Sequence, residues 1–278
     1  MSAQTKVRRK TVRDIAKAKQ GEPLVCLTAY DAPMAALLDP HVDLLLVGDS
    51  VGMVVHGLPS TVGVTLDMMI LHGQAVMRGA KQAFVVVDMP FGSYETNADQ
   101  AFLNAARVMK ETGCHAVKIE SGRYAARQIE HLVARGVPVM GHVGLRPQAI
   151  HVAGGFRAKG RTEEEWADVL EEAIAADEAG AFAIVVEGVA PELAEQITKS
   201  VKCPTIGIGA SEACDGQILV TDDMLGVSDW VPKFVHKYAD LRGVVTEAAG
   251  AYAKAVRERA FPGDEQKYKL SKPEVSGT

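Results

Sequence analysis

The sequence predicts a single parallel (β/α)8 barrel from three features: eight short apolar runs, helix-forming segments between most of them, and no long linker or shift of composition. With 278 residues, 47% hydrophobic and 23% charged, the chain can bury one sizeable core, and single α/β barrels routinely reach this length. The runs are LVCLTAY (24–30), VDLLLVG (42–48), AFVVVDM (83–89), HAVKI (115–119), VPVMGHVG (137–144), AFAIVVE (181–187), CPTIGIG (203–209) and DWVPKFV (229–235). Their length and aliphatic content are those of strands buried on both faces.

The intervening segments TLDMMILHGQAVMRGA, NADQAFLNAARVMKETG, YAARQIEHLVARG, TEEEWADVLEEAIAADEAG and PELAEQITKS have helical spacing and good helix formers. Several carry boundary signals. Thr96 or Asn97 precedes one helix, Thr162 and Glu165 read as a capping box, and Gly113, Gly136 and Gly180 follow helix ends. The segment TVRDIAKAKQ, within an N-terminal extension over residues 1–22, reads as a helix covering the barrel bottom. The polar, breaker-rich end, residues 262–278, reads as a mobile tail on an otherwise single domain over 1–278.

Composition excludes several classes of function. A net charge of -5, with the two signs interspersed, leaves no basic footprint for nucleic acid. The four cysteines form no C-x-x-C pair, which suits reduced thiols better than a disulfide framework or a zinc site. The N-terminus lacks a signal-like apolar stretch, and no run approaches the roughly 18 apolar residues of a membrane span. No membrane association and a cytoplasmic location are therefore expected.

In a parallel barrel the chemistry sits where strands end, so the residues that follow each run matter most. Here they are carboxylates: Asp31, Asp49, Asp88, Glu120 and Glu187. Acids converging on a dry rim require a shared counter-charge, and a divalent cation is the simplest. Each acid also has a bland reading. Asp31, ahead of Pro33, reads better as a helix N-cap. Asp49 and Asp88 are followed by GDSVGMVVHG and MPFGSYET, where no clear helix starts, so they read as ligands of a hard cation such as Mg²⁺.

Lys118 and Glu120 lie two apart on one strand face, either as a buried ion pair or as part of a metal and substrate site. Glu187 is either an isolated general base raised by burial or a salt-bridged structural acid. His142 is either a hydrogen-bonded core residue or a substrate contact, and the other histidines stay unassigned. The glycine loop TIGIGAS could bind phosphate, although close backbone packing is its better use.

The ordered motifs LTAYDAPMA, LLLVGDSVGMVVHG, STVGVTLDMMILHGQAV, VVVDMPFGSY, AVKIESG, VPVMGHVGLRPQ, TIGIGASEACDGQILVTDDMLG and PKFVHKYAD resemble the ketopantoate hydroxymethyltransferase family over about residues 24–240. The resemblance implies a barrel similar to those of the phosphoenolpyruvate mutase and isocitrate lyase group. It also implies transfer of a hydroxymethyl group from 5,10-methylenetetrahydrofolate to 3-methyl-2-oxobutanoate, giving 2-dehydropantoate and tetrahydrofolate, a step in the biosynthesis of pantothenate. By matching motif it makes Asp49 and Asp88 metal ligands, with Glu120 a ligand directly or through water. Ser50 and Lys118 become substrate contacts and Glu187 the proton acceptor. A homo-oligomer, commonly a decamer, is implied as well.

The family more usually reads STLPVTLDDM, LPFMSY, VKLEGG, GLTPQ and GIGAG, where this chain has STVGVTLDMM, MPFGSY, VKIESG, GLRPQ and GIGAS. None of these departures removes a ligand or the base, and Arg146 and Ser211 bear on loop contacts near the folate or the substrate, hence on affinity and not on the reaction class. Two rival readings are a Mg²⁺-dependent C–C lyase or mutase on the same scaffold and a non-catalytic small-acid sensor. The first usually carries a K-K-C-G-H type loop, which this sequence lacks. The second predicts no Mg²⁺-dependent binding of the oxo acid.

Overall fold

The computed structural model describes residues 8–19, 21–155, 159–160 and 162–268. The N-terminal residues 1–7 and the last ten residues of the expected tail lie outside them. The chain forms two compact units, one reaching Thr221 and including Pro232–Val235, the other made of Asp222–Val231 and the residues from His236 onward.

The first unit is a closed, all-parallel eight-stranded barrel. Its strands are β1 (Leu24–Thr28), β2 (Leu44–Val47), β3 (Phe84–Asp88), β4 (Ala116–Glu120), β5 (Val139–Gly144), β6 (Ala183–Glu187), β7 (Thr205–Ile208) and β8 (Gly216–Leu219), and β8 pairs with β1 to close it. Its helices are α1 (Val12–Ala16), α2 (Ala32–Leu38), α3 (Val51–Val54), α4 (Leu66–Gly79), α5 (Ala98–Thr112), α6 (Ala125–Val133), α7 (Ile150–Ala153), α8 (Glu163–Glu178) and α9 (Pro191–Ser200). A one-turn helix α10 (Thr221–Met224) begins at Thr221 and continues into the second unit, which also holds the 17-residue helix α11 (Leu241–Arg257), capped by Asp240, whose carboxylate accepts from the Gly243 N–H at 3.0 Å.

Strand alternation sorts the core into two clusters. Leu24, Cys26, Leu44, Leu46, Phe84, Val86, Ala116, Met140, Ala183, Val185, Ile206 and Ile218 fill the barrel interior, joined at the N-terminal end by Ile15 and Ala18 from and beside α1. The alternate residues, among them Leu45, Val47, Val85, Val87, Val117, Ile119, Val139, Ile184 and Val186, face the helices. Each large aliphatic side chain buried in this way contributes roughly 1.5–3 kcal/mol. Helix α4 buries Met69, Ile70, Gly73 and Val76 at helical spacing. Gly73 is required there, because a Cβ would lie 2.8 Å from a Thr112 methyl.

Local capping follows the sequence signals. The Asp31 carboxylate accepts from the Met34 N–H at 2.8 Å with Pro33 in the first turn of α2, and Asn97, not Thr96, caps α5 by accepting from Gln100 N–H. Thr162 accepts from Glu165 N–H at 3.3 Å, and Gly113 ends α5 in the left-handed region. All four cysteines are buried and free.

The eighth strand is not where the apolar runs place it. It is formed by GQIL at 216–219, and it follows β7 through a loop, residues 209–215, with no helix in between. Two physical reasons explain the difference. The β8 segment is four residues long with an exposed Gln217, so it has no long apolar run to detect. The segment DWVPKFV carries Pro232, which cannot donate to a sheet ladder, and its Trp230 is exposed. Phe234 instead lays its ring on Gly209, where a Cβ would approach to 2.6 Å. The glycine loop after β7 thus serves close packing.

His115, just before β4, packs its ring on Phe84 and accepts the Val85 N–H at Nδ1 at 2.9 Å. Burial, then the Arg9 charge, pushes its pKa down to about 4. Between that value and the ordinary histidine value the unfolded chain binds more protons than the folded one, so this residue's contribution to stability is lost as pH falls through that window. Urea midpoints measured from pH 7 to pH 4 should show His115→Gln, whose amide oxygen can accept the same N–H, losing less stability than the parent. Parallel profiles would show that His115 is not a source of acid sensitivity.

Candidate active site

The interior alternation explains why charged residues meet at the C-terminal end of the barrel. Above Val86 the next inward position on β3 is Asp88; on β4 it is Lys118 and then Glu120; on β5, His142; on β6, Glu187. Strand register sets them side by side, Asp88 opposite Lys118, Glu120 opposite His142, and Glu187 opposite Gly144. Asp49 and Ser50 enter from the turn after β2. Gly48 makes room for them, since a Cβ there would lie 2.8 Å from Ser50 Oγ and 3.5 Å from Asp88 Oδ2.

All the residues expected at the site are therefore brought to one rim. Asp49, Asp88, Lys118, Glu120 and His142 are buried, while Glu187 keeps part of its side chain exposed. Lys118 Nζ is paired with Asp88 Oδ1, so Lys118 pairs across the ladder with Asp88 and not along its own strand with Glu120. The Asp49 N–H donates to Asp88 Oδ2 at 3.1 Å, and Tyr30 OH lies 2.8 Å from Ser50 Oγ. Glu187 is not isolated, because His142 Nε2 stands 3.1 Å from its Oε2. His142 Nδ1 lies 3.9 Å from Glu120 Oε1, and the His142 N–H donates to Ser121 Oγ at 3.1 Å.

A one-turn helix, α3, does begin two residues after Asp49, where the sequence suggested none. Asp49 does not cap it through its side chain. Its Oδ2 instead accepts from Gln148 Nε2 at 2.8 Å.

Electrostatics at this rim are unbalanced: Asp49, Asp88 and Glu120 face one ammonium, Lys118. Burial, followed by the neighbouring Asp88 charge, pushes the Asp49 carboxyl up to about 7 despite opposing help from Lys118, Gln148 and Thr61. Burial and Asp49 hold Glu120 well above the ordinary carboxylate range. Burial works to neutralise Lys118, but Asp88 and Asp49 outweigh it and keep the ammonium charged. His142 is pushed below its ordinary range by burial and then by Lys118, which favours a neutral ring. Burial is the larger cause of both shifts and like charge the second, and the carboxylate oxygens form a donor set that suits a hard divalent cation. Among the described residues, no three of His, Cys, Asp and Glu are drawn together at metal-ligand spacing. Lys118 holds Asp88 and the Gln148 amide holds Asp49.

Sequence reasoning missed Gln148 and Tyr94. Gln148 follows β5 in a 3-10 turn, and Tyr94 belongs to an irregular segment after β3. Neither sits on a strand, so period and strand-end logic pass over them. The only signal was that an uncharged amide closes the GLRPQ motif. A cavity of about 310 Å³ opens beside them, walled by Phe91, Tyr94, Tyr124 and Arg146 and reaching Glu120 and Gln148. Arg146 faces Glu172 at 3.5 Å, and Ser211 caps its own loop by accepting from Ala213 N–H at 3.2 Å.

The family model described as ketopantoate hydroxymethyltransferase matches residues 9–264. A protein of Hyphomonas neptunium named 3-methyl-2-oxobutanoate hydroxymethyltransferase is 74% identical over 98% of this chain and 99% of its own length. A protein of the same name from Agrobacterium fabrum is 57% identical over the full length of both. Among solved structures, 2,3-dimethylmalate lyase, of the PEP mutase/isocitrate lyase superfamily, matches with a TM-score of 0.58 at 17% identity, covering 92% of this chain and 91% of its own. Phosphonopyruvate hydrolase in complex with oxalate and Mg²⁺ matches with a TM-score of 0.58 at 14% identity, covering 94% and 93%. These two share the fold.

Removing one partner of a buried ion pair leaves the other uncompensated, at a cost of about 3–5 kcal/mol. Lys118→Met should therefore lower unfolding free energy by roughly that amount at pH 8, and by less at pH 5, where Asp49 and Glu120 can hold protons. Equal losses at both pH values, read by urea titration, would mean that Lys118 acts here by packing alone.

Proposed function

Because the chain belongs to the ketopantoate hydroxymethyltransferase family, we propose that it transfers a hydroxymethyl group from 5,10-methylenetetrahydrofolate to 3-methyl-2-oxobutanoate in a Mg²⁺-dependent reaction. The observation that carries the mechanistic reading is the pairing, on one rim, of an acid-rich pocket short of positive charge with a partly exposed base. Asp49, Asp88 and Glu120 crowd around a single ammonium, and Glu187 stands beside them with His142 at 3.1 Å.

Asp49 and Asp88 would hold the cation, with Glu120 taking part directly or through water, and hard carboxylate oxygens are the donors Mg²⁺ prefers. When bound, the ion supplies Lewis-acid stabilisation of negative charge on a 2-oxo acid. The protein's own residues supply the rest. Ser50, steadied by Tyr30, contacts the oxo acid. Lys118 offsets its carboxylate charge. Glu187 takes the proton from C3, and its partial exposure lets it reach substrate. His142, with its ring nearer neutrality, orients the Glu187 carboxylate without neutralising it. The aromatic walls of the adjacent cavity, Phe91, Tyr94 and Tyr124, suit a flat ring system of the one-carbon donor.

The first half of this reaction can be followed alone. Exchange of the C3 proton of 3-methyl-2-oxobutanoate into D₂O, observed by NMR, should need Mg²⁺ and should stop in EDTA. Glu187→Gln should slow it by about 10²–10⁴-fold, the usual contribution of a positioned base. Undiminished exchange in that variant would remove Glu187 from the role.

A further inference from the structure

We propose that Gln148 is a positioning residue that sets which oxygens of Asp49 and Glu120 stay free for a divalent cation, its amide orientation being enforced by Tyr94. The inference rests on the metal-dependent reading of the site above, and it assigns a role to two residues that are neither ligand nor base in that reading.

The orientation follows from donor and acceptor counting. The side-chain amide of Gln148 has two N–H donors and one carbonyl acceptor, and it is buried, so each group needs a partner. Tyr94 OH lies 2.6 Å from Gln148 Oε1 and donates to it. A tyrosine hydroxyl could also accept, but the Glu120 N–H already donates to that oxygen at 3.3 Å, leaving the phenolic proton for Gln148. With Oε1 so committed, the NH₂ group must point the other way. There its two protons go to Asp49 Oδ2 at 2.8 Å and to the Met89 carbonyl at 3.0 Å. A flipped amide would set a carbonyl against a carboxylate and a second carbonyl, so the arrangement has one orientation.

The same residue reaches the second acid through its backbone, the Gln148 N–H donating to Glu120 Oε1 at 3.2 Å. One residue thus holds one oxygen of each of two carboxylates, one in the turn after β2 and one at the end of β4, and in this reading the other oxygen of each turns to the cation. Asp88 is held at both oxygens, Oδ2 accepting the Asp49 N–H at 3.1 Å and Oδ1 paired with Lys118. Without such clamps a buried carboxylate is free to rotate and must be ordered when the cation arrives. Partners that orient ligands in this way typically contribute 10–100-fold in metal affinity.

The test is Mn²⁺ binding to the full-length protein, read by EPR as loss of the free-ion signal, with no substrate present. The parent should bind Mn²⁺, and Gln148→Met, close in shape but without amide donors, should bind at least 10-fold more weakly. Tyr94→Phe, which keeps the ring and releases the orientation, should bind about threefold more weakly, and Mg²⁺ should raise the melting temperature of the parent more than that of either variant. A purely structural role would lower the melting temperature of the variants with and without metal alike and leave the Mn²⁺ affinity unchanged, and that result would overturn the proposal. If Gln148→Met does not fold, Tyr94→Phe decides by the same criterion. A parent that binds no Mn²⁺ would instead overturn the metal reading, and this proposal with it.

Discussion

A parallel strand in a closed barrel is flanked by helices on one face and the barrel interior on the other, and outside β1 and β8, where Val25 and Gln217 are exposed, that constraint organises the molecule. One set of alternate side chains must be apolar toward the helices and the other toward the barrel axis, as the two clusters around Val85 and Phe84 demonstrate. Toward the C-terminal end the axial set changes character, with Asp88, Lys118, Glu120, His142 and Glu187 replacing the aliphatic layers. The site is therefore a continuation of the core pattern with the chemistry exchanged. Its side chains stand on strands held on both flanks, so their Cα positions are determined by the barrel before any polar contact forms.

Charge is the second constraint, and it follows from the first. Carboxylates placed in a dry layer cannot all remain ionised against one ammonium, and the raised pKa values of Asp49 and Glu120 express that conflict. Lys118 relieves it at Asp88, and the Gln148 amide relieves part of it at Asp49 and Glu120. What remains is a pocket that favours added positive charge, which is the physical basis for reading it as a cation and oxo-acid site. Membership of the ketopantoate hydroxymethyltransferase family accords with that electrostatic reading.

Much of this could be read along the chain because it depends on local rules. Strand lengths, the helical period of α4 and α5, the Asp31 and Asn97 caps, and the polar residue ending each apolar run all depend on neighbours within a few positions. The eighth strand escaped because a short strand with a polar alternate residue lacks the signal, while a longer apolar run nearby contains a proline that forbids the ladder. The brief helix after Asp49 escaped because four residues are too few to show a period.

The sequence by itself determined the barrel class, seven of its eight strands and the identity of the acids at its rim, since each is encoded by a period or by a strand-end position. Only the tertiary structure decided the partners: Lys118 with Asp88 instead of Glu120, His142 against Glu187, and Gln148 between Asp49 and Glu120. The physical reason is that such pairings are set by strand register and by loops that fold back over the rim. They join residues as far apart in the chain as Asp49 and Gln148, where no local pattern connects one to the other.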